Sequence, residues 1–418
     1  MKKHTIHLMG VDGTGLTPEK MAILQSCTTI LGAERFFNLL QPLLAAHPET
    51  RILPVFPVSE TLSLIEEALT VSDVGVLAGG DPLFFGIGRT LCRRFGEETM
   101  QIYPAVSSMQ LAFARFKIPW DDAHFFSVHG RGMDNLISQI GTSTKVFLLT
   151  DAKNSPAVIA ASLFEGIGKT NAGHYTVHVA ENLGEKNERL TIGRLREISD
   201  RDFSSLSVMI ITRKVDESLN ILPRFGLQEQ EIIHSRGLIT KNEVRATTLH
   251  SLRLPDSGVF WDIGAGSGSV SLEAARMFPL LRIFAVESKA EQIENIKANR
   301  NMFNALNIQV IHGNAPEIFI SLPDPKRIFV GGSCGHLEDI LQKSVERLKQ
   351  GGIIVVNGVI EKTRLAAPEI LYRMGLAVSI ATVSVCRCNY PENHSTELNP
   401  ITIISGHKPQ ISPQKGVV

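Results

Sequence analysis

The sequence predicts two α/β units joined end to end, the second a doubly wound sheet of seven strands. Three observations carry this. From residue 258 onward, apolar strand-like runs alternate with amphipathic helical stretches. A glycine-rich loop, Gly264-Ala-Gly-Ser-Gly268, stands between the first of those runs and the first helix. The first 215 residues also alternate strands and helices, but with other motifs, and the halves are not duplicates.

In the first half, strands are expected at 5–9, 52–56, 74–78, 124–128 and 145–149, with helical stretches such as 17–26 and 107–117 between them. A β-rich end, 175–180 and 207–212, precedes a charged, proline-containing segment at 216–235 that reads as the linker. The second half predicts strands at 258–263, 282–287, 308–313, 327–332 and 352–358. Between the last two, residues 336–349 place Leu337, Ile340, Leu341, Val345 and Leu348 on one helical face, and Gly351-Gly352 stops that helix. Two further β-rich runs follow at 377–385 and 400–404, and the polar segment 407–418 reads as a flexible tail. The boundaries are thus 1–215, a linker over 216–235, 236–406, and the tail.

Bulk composition narrows the class of function. Forty-two basic and 42 acidic residues cancel, so nothing suggests the clustered positive charge of a nucleic-acid surface. A small anionic substrate stays open, because a local pocket can be basic within a neutral whole. There is no signal-peptide pattern and no run of about 18 apolar residues, so neither a membrane partner nor export is expected and the chain reads as cytoplasmic. Five scattered cysteines form no disulfide framework. Cys386 and Cys388 with nearby His394 are the only metal-like grouping; they read as two thiols on one face of a late strand, and no metal is expected.

The chemistry concentrates in two places. In the second half, the run Val259-Phe-Trp-Asp-Ile ends in Asp262, three alternating glycines (Gly264, Gly266, Gly268) follow, and a helix starts at once. Glu287 closes the next strand, where a carboxylate suits a ribose diol. A P-loop requires a lysine that is absent here, and the dinucleotide fingerprint requires a glycine where Ser269 stands. A cationic adenosyl ligand fits an acidic glycine loop better than a pyrophosphate does. The plain alternative is a glycine-rich turn without a ligand. In the first half, a buried strand ends in Gly79-Gly80-Asp81-Pro82, exposing backbone amides and a carboxylate where open α/β sheets bind ligands. Ser107 and Ser108 open a helix, either as caps or as ligand contacts, and His129 and Arg131 occupy a glycine-loosened loop. Arg131 is a candidate carboxylate clamp or a plain surface arginine.

The segment Val259–Gly268 with Glu287 resembles motif I of the class I S-adenosylmethionine methyltransferases, a Rossmann-like seven-stranded fold with an antiparallel edge hairpin. Gly237-Leu-Ile-Thr-Lys-Asn-Glu-Val-Arg-Ala upstream is similar to the CbiT branch. That resemblance implies cofactor contacts at Thr240, Gly264, Ala265, Gly266, Ser267, Gly268, Glu287 and Ala315, and a substrate wall at Gly332 and Ser333. Asn314 departs from the branch's usual aspartate. Cys334, beside that wall, has no identifiable base and is not read as a nucleophile; Lys241, Arg245 and Arg364 are candidates for pairing substrate carboxylates.

Residues 4–213 resemble the tetrapyrrole methylases (class III, a two-lobed α/β fold), and the CbiE branch in particular. The resemblance rests on Gly79-Gly-Asp-Pro-Leu-Phe-Phe-Gly-Ile-Gly88, Pro104-Ala-Val-Ser-Ser108, Trp120-Asp-Asp and Ser127-Val-His-Gly-Arg131. It implies cofactor contacts at Gly80, Asp81, Phe84, Ser107 and Ser108, and substrate contacts at His129 and Arg131. The first loop, Gly10-Val-Asp-Gly-Thr-Gly15, departs from the family's usual proline-containing form, and its turn is expected to survive.

A CbiE-like unit followed by a CbiT-like unit is the layout of the CobL-type family of decarboxylating precorrin C(5,15)-methyltransferases. The resemblance implies an enzyme of cobalamin biosynthesis with two S-adenosylmethionine sites, one per domain, a precorrin-type tetrapyrrole substrate, and self-association. It identifies no catalytic acid or base. The competing expectation is a class I methyltransferase for RNA or protein, with the first half as a docking or sensor module.

Overall fold

A computed structural model describes residues 4–55, 57–128, 136–214, 222–391 and 394–410. The chain divides into two compact units: Met1–Gly132 with Lys145–Ala161 and Thr176–Thr212, and Met133–Thr144 with Ser162–Tyr175 and Arg213–Val418.

The first unit holds two sheets. β1 (Ile6–Val11), β2 (Thr29–Gly32), β3 (Arg51–Pro54), β4 (Val74–Gly79) and β5 (Met100–Tyr103) form a parallel sheet in the order β3-β2-β4-β1-β5. Apolar runs such as Ile6-His-Leu-Met-Gly-Val are buried along their whole length, as expected for a sheet covered on both faces. β6 (His124–Ser127), β7 (Lys145–Leu149), β8 (Tyr175–Glu181), β9 (Arg189–Gly193) and β10 (Ser207–Arg213) form a mixed sheet in the order β6-β7-β10-β8-β9. Three of these strands escape sequence reading. β2 and β5 have four residues each, and β9 exposes its apolar side chains, with Leu190 at 43% and Ile192 at 59%.

The second unit carries β11 (Ser257–Ile263), β12 (Leu280–Glu287), β13 (Ile308–His312), β14 (Arg327–Val330), β15 (Ile353–Gly358), β16 (Ala377–Asn389) and β17 (His394–His407). Their order is β13-β12-β11-β14-β15-β17-β16. The first five are parallel, and β17 runs antiparallel to both β15 and β16, which is the expected edge hairpin. Helices cover both faces over two apolar cores, one around Trp261 and one around Phe260. The hairpin strands are longer than their apolar patterns suggest, because β16 beyond Val385 is stabilised by backbone pairing rather than burial. The order also continues past residue 406. His407 pairs with Ile353, and the Lys408 ammonium donates to the carbonyls of Val345 and Leu348 at 2.8 and 2.7 Å. Cys386 and Cys388 share one face of β16, and no metal-holding cluster of His, Cys, Asp or Glu occurs among the described residues. Among those residues no helix is long and apolar enough to cross a membrane.

Candidate active sites

In the second unit the chain leaves β11 into three glycines that all take positive φ, for three different reasons. A Cβ on Gly264 (φ +66°) would lie 2.6 Å from the Gly332 carbonyl oxygen, so the loop and the segment after β14 touch backbone to backbone. Gly268 (φ +75°) begins the helix Ser269–Met277 in a left-handed conformation and packs on Ile296. Gly266 (φ +58°) alone faces open space. Its amide donates to a Glu287 carboxylate oxygen at 2.9 Å, and the other oxygen accepts from the amides of Ser288 and Lys289 at 2.9 and 3.0 Å. The strand-end acid is thus fixed in orientation by the loop it serves.

These residues line a cavity of about 700 Å³, within the usual range of small-molecule sites, roughly 300–1,000 Å³. Thr240, Gly264, Ala265, Gly266, Ser267, Glu287 and Ala315 all border it, as do Gly332 and Ser333 on the wall after β14. Gly268 does not border it, being turned to the Ile296 contact. Gln292, His336 and Asn357 border it too. Nothing in their local sequence marks them, since each reaches the cavity only through the packing of separate βα units. Cys334 lies on this wall with φ +46°, in a turn closed by the His336 amide donating to the Ser333 carbonyl at 2.9 Å.

The structure corrects two readings. Asp262 does not face the ligand space: it is fully buried, and one carboxylate oxygen accepts from the Ser271 amide and hydroxyl at 3.1 and 2.5 Å. Burial pushes its pKa up to about 7, against which the Ser271 hydrogen bonds act only partly. It braces the helix start and does not make the cavity acidic. Arg245 is likewise no substrate cation. It is 1% exposed, pairs with Glu273 at 3.0 Å and donates to the Thr240 carbonyl at 3.0 Å, so it positions Thr240. Lys241 borders the cavity but is paired with Glu229 at 2.6 Å, and Arg364 stands on an exposed helix with Glu361 at 3.7 Å.

In the first unit, loops from the C-terminal ends of β1, β4 and β5 converge. A Cβ on Gly10 would lie 2.2 Å from the Gly80 carbonyl oxygen and 2.5 Å from the Ala105 nitrogen. One on Gly80 (φ +65°) would come within 2.9 Å of the Ser107 Cα. Ser107 is a helix cap: its hydroxyl accepts from the Gln110 amide at 3.2 Å, and the Gln110 side chain accepts from the Ser107 amide at 3.0 Å. Ser108 follows as the first helical residue and is half-buried. Asp81 accepts from the Leu83 amide at 2.8 Å, and Phe84 packs edge-on against Phe85 and Phe125. The unusual first loop keeps its turn, because the Asp12 carboxylate accepts from the Thr14 amide at 2.8 Å and the Gly15 amide donates to the Asp12 carbonyl at 3.0 Å. His129 and Arg131 lie outside the described residues.

A glycine loop with a strand-end acid in one unit, and a three-loop backbone cradle in the other, define a methyltransferase built from two unlike parts. Residues 10–199 match the model of the tetrapyrrole (corrin/porphyrin) methylases, and residues 231–388 match that of the precorrin methyltransferase domain. A precorrin-6Y C(5,15)-methyltransferase [decarboxylating] from Sinorhizobium sp is 31% identical over 97% of this chain and 93% of its own length. A probable cobalt-precorrin-6B C(15)-methyltransferase (decarboxylating) from Pyrobaculum calidifontis is 35% identical over 44% of this chain and 95% of its own. The crystal structure of precorrin-6y C5,15-methyltransferase from Geobacter metallireducens aligns at 42% identity with a TM-score of 0.44, covering 44% of this chain and 97% of that one. The chain belongs to the family of decarboxylating precorrin-6Y C(5,15)-methyltransferases.

Proposed function

We propose that this chain methylates carbons 5 and 15 of a precorrin macrocycle and removes a ring acetate carboxyl as carbon dioxide, in cobalamin biosynthesis. The supporting observation is the pairing of two unlike ligand cradles in one chain that matches the family over 97% of its length. S-adenosylmethionine supplies an activated methyl group on a sulfonium. The residues of the second cavity fit that ligand: Gly266 leaves open space where a Cβ would otherwise stand, and Glu287 is pre-oriented to accept from a ribose diol. We assign one such site to each unit, the first at Gly80, Asp81, Phe84, Ser107 and Ser108.

A meso carbon between two pyrrole-type rings is an enamine-like nucleophile, so transfer demands alignment and exclusion of water more than a strong base. A Cβ on Gly332 would meet nothing within 4 Å, which lets a flat macrocycle approach the backbone at that wall. In the decarboxylation, the electron pair of the breaking carbon–carbon bond passes into the conjugated imines of the substrate, and the exocyclic carbon then takes a proton. By resemblance, the first unit methylates carbon 5, while the second methylates carbon 15 and decarboxylates. The resemblance also supports a self-associating cytoplasmic enzyme without nucleic-acid or membrane partners.

Incubation of the purified chain with precorrin-6B and S-adenosylmethionine, followed by mass spectrometry, should give a product with two added methyl groups and one carbon dioxide lost. Unchanged substrate would refute the reading. Calorimetry should find two cofactor sites per chain, and a single site would remove one domain's assignment.

A further inference from the structure

In the second unit Lys241 and Arg245 are paired with Glu229 and Glu273, and the first unit raises its own question of where a polycarboxylate substrate meets positive charge. Arg35 answers it in the first unit. It follows β2 in the short helical turn Glu34–Leu40 and is exposed. Its guanidinium lies over the Phe36 ring, 4.8 Å from the centroid. A Cβ on Gly79, the last residue of β4, would lie only 2.9 Å from one of its terminal nitrogens. The guanidinium therefore rests on the strand end that leads into Gly80-Asp81, in a space open only because residue 79 has no side chain. Unlike Arg115 with Glu188, or Arg189 with Glu181, it has no carboxylate within ion-pair distance among the described residues.

The Phe36 ring and the Gly79 backbone hold the guanidinium in place, and with no carboxylate on it among the described residues its remaining N–H groups are left for a ligand carboxylate. Sheet order says where that carboxylate would lie. The Gly10, Gly80 and Ser107 loops converge over β4, β1 and β5, whereas Arg35 comes from β2, on the other side of β4. It flanks the cofactor cradle by one strand spacing, about 4.8 Å, which is where a ligand beside the cofactor would place its rim.

We propose that Arg35 anchors an acetate or propionate carboxylate of the macrocycle in the first unit. The assignment rests on the function proposed above. Arg35→Gln should raise the macrocycle KM for carbon-5 methylation about tenfold or more, the usual weight of a charge-assisted pair. It should leave cofactor Kd and the carbon-15 reaction unchanged. Gly79→Ala should move KM the same way, since the new methyl displaces the guanidinium while keeping its charge, and Arg35→Lys should fall between. A polycarboxylate porphyrin such as uroporphyrin serves as a non-reacting probe: the wild type should bind it more tightly than Arg35→Gln in an absorbance titration. Equal KM and equal probe binding in the two proteins would overturn the assignment. So would a raised cofactor Kd with unchanged macrocycle KM, which would give Arg35 to the methionyl carboxylate instead. A wild type that binds the probe through Arg35 yet never methylates carbon 5 would refute the functional reading and leave the carboxylate anchor standing.

Discussion

The two units build their glycine-rich candidate sites by different means. In the second, the glycine loop and Glu287 organise each other: the Gly266 amide donates to the carboxylate, and the carboxylate in turn collects the amides of Ser288 and Lys289. In the first, backbone presses on backbone at Gly10, Gly80 and Ala105, and the polar side chains nearby are spent on local turns and caps. One cradle is electrostatic and the other steric. Similar glycine-rich sequences thus do unlike work, and substitutions should expose the difference.

The largest effects should come from filling the two backbone contacts. Gly10→Ala puts a methyl 2.2 Å from the Gly80 carbonyl oxygen and should abolish carbon-5 methylation alone. Gly264→Ala, at 2.6 Å from the Gly332 carbonyl oxygen and with φ +66°, should abolish carbon-15 methylation and decarboxylation alone. Calorimetry should then count one cofactor site in each variant. Loss of both sites in either variant would mean the cradles are not independent.

Glu287→Gln should come next. It keeps the shape but loses the charge, and cofactor affinity in the second unit should fall about ten- to a hundredfold, as expected for a hydrogen bond to a charged group. Retention of full affinity would break the electrostatic half of the comparison.

A third effect is on pH dependence. The folded pKa of Asp262, about 7, lies above the ordinary 3.8, so the folded unit keeps a proton that the unfolded chain releases. That contribution to stability is fully present below about pH 4 and is lost as pH rises through about 7. The melting temperature of the second unit should therefore fall as pH rises across that window in the wild type, and fall less in Asp262→Asn. An unchanged slope would show that Asp262 is ionised in place.

The smallest effect should be that of Ser107→Ala. Loss of its cap should cost about 1 kcal/mol of stability, read by urea unfolding, with carbon-5 methylation retained. A collapse of that activity would show that the hydroxyl serves the ligand as well as the helix.

Much of this is legible in the sequence. Strand-to-helix alternation marks β11 to β15, because parallel strands buried on both faces read as unbroken apolar runs. The spacing of Gly264, Gly266, Gly268 and Glu287 marks the second cavity, since loop and strand end are local in sequence. The place of Asp262 is not legible, for a physical reason. A strand-end acid looks the same in sequence whether it points into the ligand space or under the loop, and the Ser271 amide and hydroxyl decide between them. Arg245 is likewise indistinguishable in sequence from a free cation, because only packing against Glu273 reveals it as buried.

What the sequence by itself determined was the pair of α/β units, the two glycine-rich loops and the family, because each rests on patterns carried by contiguous stretches of chain. Only the tertiary structure decided which charges are free to meet a substrate. Arg35 lies against Gly79, 44 positions further along the chain, and Thr240 is held by an arginine whose charge is cancelled by Glu273. Charge availability depends on through-space neighbours, and those are set by the order in which strands pair, which no local pattern records.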